Sequence, residues 1–138
     1  MPSRITADTN IYISALNFGG IPERVLTLAR DGHLDLAISD AILSEIVRVL
    51  TEKFRWAPGP LKNALIEIAA YSRRIEPQQK LDVITDDPTD NRILECAISA
   101  GSEYIVSGDS HLLRIGKYAG IPILRPAELL EVVRKRSF

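Results

Sequence analysis

Thr85-Asp86-Asp87-Pro88-Thr89-Asp90-Asn91 runs directly into the apolar-periodic segment Ile93-Leu94-Glu95-Cys96-Ala97-Ile98, so three carboxylates within five residues stand at the head of a predicted helix. Read blandly, this is a helix start. Asp87 is the expected N-cap, Pro88 the first helical residue with its fixed φ, and Asp90 the acidic residue near the positive end of the dipole. Direction argues for more than capping. Asp90 lies one turn before Leu94, with Ala97 and Gly101 following at helical spacing, so it continues the stripe that faces the core. A capping carboxylate has no need to point inward, whereas an acidic site does. Asp86 reads as solvent-facing.

Outward from this stretch, short strands alternate with helices. Arg4 to Ala7 reads as a strand broken by Asp8-Thr9-Asn10, and Ile11 to Leu16 as helical up to Asn17-Phe18-Gly19-Gly20. Ile21-Pro22-Glu23 opens a second helix that stops at Asp31-Gly32. Leu34 to Ile38 alternates as a strand does, and a long helix follows from Ser39-Asp40 through Thr51. Lys53 to Pro60 is a break carrying Phe54, Arg55 and Trp56, and Leu61 to Arg73 is a further helix. Residues 75–84 read as irregular, with room for a short strand at one end. After the acidic helix come a strand at Tyr104 to Ser107, a short helix, a strand at Ile121 to Leu124, and a helix begun by Pro126. The alternation carries no hairpin signal and predicts an α/β domain with a mostly parallel sheet, spanning 1–138 as one domain without repeat or linker.

At 138 residues the chain can bury roughly two-thirds of its unfolded surface. A net charge of −1 gives no global basic footprint, so a nucleic-acid ligand needs a local cationic patch. The single Cys96 excludes an internal disulfide and reads as a packing residue. With no signal-peptide pattern and no run of membrane-spanning length, the expected location is cytoplasmic.

Ligands of parallel α/β sheets bind outside the carboxyl ends of the strands. Two predicted strands end in an aspartate, at Asp8 and at Asp109, which puts both carboxylates on one sheet edge. Glu45 falls at the margin of the stripe formed by Ile42, Ile46, Val49 and Leu50, about 40° from Val49 on a helical wheel, and so reaches a rim pocket. Singly, Asp8 and Asp109 are also reasonable N-caps and Glu45 a solvated flank. Gathered carboxylates repel unless a cation sits among them, and an all-oxygen set selects a hard ion, Mg²⁺ or Mn²⁺ over Zn²⁺. Thr9, Asn10, Asn91 and Ser107 are neutral neighbours suited to orienting those carboxylates. His33 reads as a turn residue and His111 as a surface-helix residue, neither as a ligand. A carboxylate-held divalent ion clamps phosphate oxygens and acidifies water, which suits phosphodiester hydrolysis.

Asp8-Thr9-Asn10 after the first strand, Glu45 in Ser39-Asp40-x-x-x-x-Glu45, Asp87-Pro88-x-Asp90-Asn91 opening a helix, and Ser107-Gly108-Asp109 after a strand together resemble a PIN domain. The tail, Leu112-Leu113 and then Gly120 to Glu128, is similar to the VapC-like toxin branch of that family. No single motif is specific, but the ordered set is, and it spans nearly the whole chain. The resemblance implies a three-layer domain with a five-stranded, mostly parallel sheet flanked by helices. It also implies ribonuclease activity dependent on one or two Mg²⁺ or Mn²⁺ ions, and a homodimer with a cognate antitoxin. By carry-over Asp8, Glu45, Asp90 and Asp109 form the catalytic and metal-binding quartet, with Asn10 and Ser107 beside it. Arg48, Arg55 and Arg92 are candidate RNA contacts, with Lys53 and Lys62 also near site helices. Trp56 could stack a base but reads more naturally as packing, and an exposed patch at Phe54 and Trp56 would mark a partner's seat.

A phosphatase or phosphoacceptor domain would need a second Asp two residues after the first, where Asn10 stands, or a Lys at a late strand end, where Gly108-Asp109 stands. A PIN scaffold that holds RNA or a protein without cutting, or cuts only a narrow substrate, is the alternative from a different class.

Overall fold

In the computed structural model, which describes residues 2–85 and 87–136, the elements run in the order the alternation predicts. They are β1 (Ser3–Ala7), α1 (Thr9–Phe18), α2 (Gly20–Arg30), β2 (Leu34–Ile38), α3 (Asp40–Glu52), α4 (Pro58–Tyr71) and β3 (Ser72–Arg74). There follow α5 (Asp90–Ala100), β4 (Tyr104–Val106), α6 (Ser110–Ile115), β5 (Lys117–Tyr118), β6 (Ile121–Leu124) and α7 (Pro126–Arg136). Asp86 and its expected exposure lie outside the described residues. The sheet order is β3-β2-β1-β4-β6-β5, parallel throughout except for β5 against β6. Chain order reverses at β1: β2 lies on one side and β4 on the other. A crevice therefore opens between the carboxyl ends of β1 and β4, where loops leave in opposite directions.

β1 and β2 are covered on both faces. Ile5, Ala7, Leu36, Ala37 and Ile38 are all essentially inaccessible to solvent, which is why these strands read as apolar runs with little alternation. Ser39 begins α3 by accepting the Ile42 N–H on its Oγ at 3.3 Å. Helix α5 is packed on most of its circumference, with Ile93, Leu94, Cys96 and Ala97 buried, and it ends at Gly101 with φ 66°. There the Gly101 N–H donates to Ile98 and the Ser102 N–H to Ala97, a left-handed turn-off that glycine adopts without strain. No helix among the described residues is long and apolar enough to cross a membrane.

Three details differ from the sequence expectation. Ser72 and Arg73 leave the helix predicted to Arg73 and form the edge strand β3, paired with Leu36 and Ala37. The polar run Ser-Arg-Arg carries no strand signal of its own and is recruited by the open edge of β2. The sheet has six strands where five were expected, because Lys117–Tyr118 folds back on Ile121 and Pro122 as a short antiparallel hairpin. Its turn has positive φ at both central residues, Ala119 (50°) and Gly120 (80°), a pattern whose usual signature is Asn-Gly or Asp-Gly. Finally, α5 begins regularly at Asp90. Pro88 and Thr89 form a tighter turn in which the Asp90 and Asn91 N–H groups donate to the Asp87 and Pro88 carbonyls.

Candidate active site

The parallel register sets Ala7 beside Val106, so the residues that follow, Asp8 and Ser107, emerge together. The Asp8 N–H donates to the Val106 carbonyl at 2.9 Å, and the Ser107 hydroxyl donates to Asp8 Oδ2 at 2.8 Å. The same Ser107 Oγ accepts the Asp109 N–H at 2.9 Å. One fully buried serine thus fixes the spacing between the two strand-end aspartates. Asp8 occupies the N-cap position of α1, yet its side chain makes no capping bond and turns to the crevice. Asp109 does cap: its Oδ1 accepts from the His111 and Leu112 N–H groups at 2.7 and 3.3 Å, which fixes the start of α6.

Asp90 arrives from α5 and is 4% exposed, in keeping with its place on the inward stripe. Its Oδ2 is buried, with no hydrogen-bond donor among the described residues. Asp87 does not take the N-cap place expected of it, which falls to Thr89; its Oδ1 instead accepts the Thr89 N–H and hydroxyl at 3.2 and 2.6 Å, a side-chain turn that leads into the helix. Glu45 reaches the same cleft from α3. The cleft holds about 160 Å³ and is lined by Asp8, Thr9, Asn10, Glu45, Arg48 and Asp90 among others.

Electrostatics follow from this packing. Burial raises the Asp8 carboxyl from 3.8 to about 6, assisted by the Asp109 charge and opposed by the Ser107 hydroxyl and the N–H groups of Asn10 and Thr9. Asp90 is pushed up to about 8, first by burial and then by the charges of Asp8, Asp109 and Asp87. The protein therefore holds carboxylates where their ionised forms are disfavoured. A buried acceptor without a donor, facing two further acids, fits a divalent cation: the donors are hard oxygens and the missing partner is positive charge.

Among the three candidate RNA-binding arginines, Arg48 lines the cleft. Its Nε donates to Glu45 Oε2 at 3.1 Å and its Nη1 to Glu52 Oε2 at 2.9 Å. Arg92 turns elsewhere, donating to the Leu81 carbonyl at 3.0 Å and pairing with Glu95. Arg55 stands exposed in the loop after α3 at φ 53°. Lys53 also lines the cleft. Trp56 is a packing residue, half-buried, with its Nε1–H donating to Asn17 Oδ1 at 2.9 Å.

Asn91 has a role that its sequence neighbourhood did not suggest. It is 1% exposed, and its Oδ1 accepts the N–H groups of Val83 and Ile84 at 2.8 and 2.9 Å. Its Nδ2 donates to the Ile84 and Pro88 carbonyls at 2.8 and 3.2 Å. The side chain clamps the acidic loop onto α5 rather than touching the carboxylates. Asn91→Ala strands the Val83 and Ile84 donors and is expected to destabilise the fold by about 2–4 kcal/mol in urea melts. An unchanged midpoint would mean that the loop satisfies itself without the clamp.

His111 is the residue that sequence reasoning set aside. It does not stand out on a surface helix. Its Nδ1 is buried, 3.5 Å from Asp109 Oδ1 and 3.9 Å from Asp90 Oδ2. Asp90, Asp109 and His111 offer ligand atoms that all lie within 4.8 Å of one another. A histidine two residues after a strand-end aspartate, on the first turn of a helix, was the only local signal.

A parallel α/β sheet with a carboxylate cleft at its point of reversal is one arrangement that several enzyme classes share. The particular class is given by the sequence profile of the PIN domain, which matches residues 4–111, and the chain belongs to that family. No curated protein matches. Among solved structures, the chain is similar to VapBC2 from Rickettsia felis, solved bound to a DNA fragment from its promoter. That match has a TM-score of 0.62 at 18% identity and covers 87% of this chain and 96% of that one. It is also similar to PAE2754 from Pyrobaculum aerophilum, with a TM-score of 0.65 at 16% identity, covering 97% and 90%. At such identities the likeness is one of fold.

Proposed function

We propose that this chain is a divalent-metal-dependent ribonuclease, the toxin member of a toxin–antitoxin pair. The observation that carries the reading is the convergence of Asp8, Asp90 and Asp109 at the β1–β4 crevice, with Asp8 and Asp90 held at raised pKa and Glu45 lining the same cleft. Mg²⁺ or Mn²⁺ bound there supplies Lewis acidity toward a phosphate oxygen and toward water. Asp8, Asp90, Asp109 and Glu45 are the residues that would hold it. Ser107 keeps Asp8 and Asp109 in register, Asn10 offers a polar group at the mouth, and Lys53 supplies local positive charge for an RNA backbone on a chain of net charge −1, joined by Arg48 where a phosphate or the cation displaces its pairing with Glu45 and Glu52.

An antitoxin and a second copy of the chain are the protein partners this reading implies, in the cytoplasm. It draws on the VapBC2 likeness and on Phe18 and Phe54. These rings are 75% and 38% exposed and meet edge to face at 6.1 Å, Phe54 directly following the cleft-lining Lys53, an apolar pair on which a partner could sit. The test is cleavage of a mixed RNA pool by the full chain in Mn²⁺, Mg²⁺ or EDTA. Cutting in metal that ceases in EDTA is the expected result. Equal cutting in EDTA would remove the metal from the reading, and a folded protein that cuts nothing would favour a scaffold or a narrow substrate.

A further inference from the structure

We propose that His111 supplies a nitrogen ligand to the cation held by Asp90 and Asp109, and that this ligand tilts the site toward Mn²⁺ over Mg²⁺. The inference rests on reading the cleft as a metal centre and extends the oxygen-only set with which that reading began.

Position comes first. Asp109 Oδ1 holds the His111 and Leu112 N–H groups at 2.7 and 3.3 Å, so the first turn of α6 is fixed relative to the strand-end acid. That turn carries the imidazole over the crevice, with Nδ1 3.5 Å from Asp109 Oδ1 and 3.9 Å from Asp90 Oδ2. Two atoms bound to one octahedral ion at about 2.1 Å are about 3.0 Å apart when adjacent and about 4.2 Å when opposed. Both observed separations fall inside that span. The second observation is independent of the histidine: the Asp90 side chain is 6% exposed, and its Oδ2 meets no hydrogen-bond donor among the described residues. Two anionic oxygens and an imidazole nitrogen, mutually within 4.8 Å, are a mixed donor set.

Chemistry gives the preference. Mg²⁺ takes oxygen ligands and gives up its waters reluctantly, so a nitrogen offered at this position adds little to its binding. First-row transition ions accept imidazole readily, and Mn²⁺ combines that tolerance with affinity for carboxylates. His33 sits in the turn after α2 beside Pro2 and Ser3, at the amino ends of the strands and so at the opposite sheet edge, whereas His111 lies against Asp90 and Asp109; of the chain's two histidines only His111 is placed to reach the ion.

The test uses the full chain without RNA. Mn²⁺ is bound, the electron spin-echo envelope is recorded for ¹⁴N coupling, and Mn²⁺ and Mg²⁺ affinities are measured by calorimetry for wild type and His111→Asn. Asparagine keeps a polar group near the Nδ1 position but presents an oxygen. Wild type is expected to show imidazole ¹⁴N coupling. His111→Asn is expected to lose it and to bind Mn²⁺ about 10–100-fold more weakly, with Mg²⁺ affinity changed by less than about threefold. Mn²⁺ bound to wild type without nitrogen coupling overturns this proposal and leaves the metal-centre reading standing. Failure of wild type to bind Mn²⁺ or Mg²⁺ overturns both. Should the variant not fold, the wild-type spectrum alone decides.

Discussion

Asp8→Asn and Asp90→Asn are each expected to lower metal-dependent RNA cleavage by about 10³-fold or more, equivalent to some 4 kcal/mol of barrier. Both exchanges keep side-chain shape and remove the charge on which the proposed cation depends. The Asp8 amide can still accept from Ser107, so the link between β1 and β4 survives. Neither variant should lose its fold. Removing the Asp90 carboxylate takes a buried, repelled group out of the crevice, and the metal-free variant is expected to melt higher than wild type at pH 8. Loss of cleavage together with a raised melting temperature separates a functional acid from a structural one. Cleavage that persists at wild-type rate in both variants would place the chemistry elsewhere.

The second large effect is a dependence of stability on pH that runs opposite to ordinary acid denaturation. Folding raises the carboxyls of Asp8 and Asp90 from 3.8 to about 6 and about 8, so between these values the native state binds more protons than the unfolded chain. The stabilisation from these two groups is complete below pH 3.8 and is lost as pH rises through about 6 and then about 8. For Asp8 alone this amounts to about 3 kcal/mol, or roughly 10 °C for a chain of this length. Melting in EDTA should therefore fall from pH 5 to pH 8, and saturating Mn²⁺ should restore it most at the alkaline end, where the ion has fewest protons to displace. A melting temperature that rises steadily over this range in EDTA would mean that the carboxyls ionise freely. The crevice would then be wetter than its burial implies.

Much of this arrangement was legible in the chain because it is built from local signals. Asp8 and Asp109 each follow an apolar run, and parallel strands bring their carboxyl ends to one edge whatever the details of packing. Asp90 declared its direction through its spacing to Leu94 and Ala97. What escaped the reading depends on where distant parts land. β3 exists only because β2 offers an open edge to Ser72, Arg73 and Arg74. The β5–β6 hairpin hangs on Ala119 adopting a positive φ that alanine does not advertise. Asn91 resembled a companion of Asp90, but its partners are Val83 and Ile84, in a loop with no pattern of its own. His111 approaches Asp90 only once α6 has been set down beside α5, across an interval that periodicity does not measure.

The hydrogen bond between Ser107 and Asp8 also has a temporal meaning. Its two ends are 99 positions apart, and β2, β3 and the helices that accompany them lie between them in the chain. Closing so long a loop costs more entropy than closing a local one, and topologies built on such pairings fold more slowly than those built on local contacts. During synthesis, which runs from the amino end, Asp8 is added 99 positions before its partner Ser107. A polypeptide in that interval has its first acid but no crevice. The proposed metal site is incomplete in any stretch of chain that stops before Ser107 and Asp109, and a nascent chain of that length would lack an acid that the proposed cleavage needs.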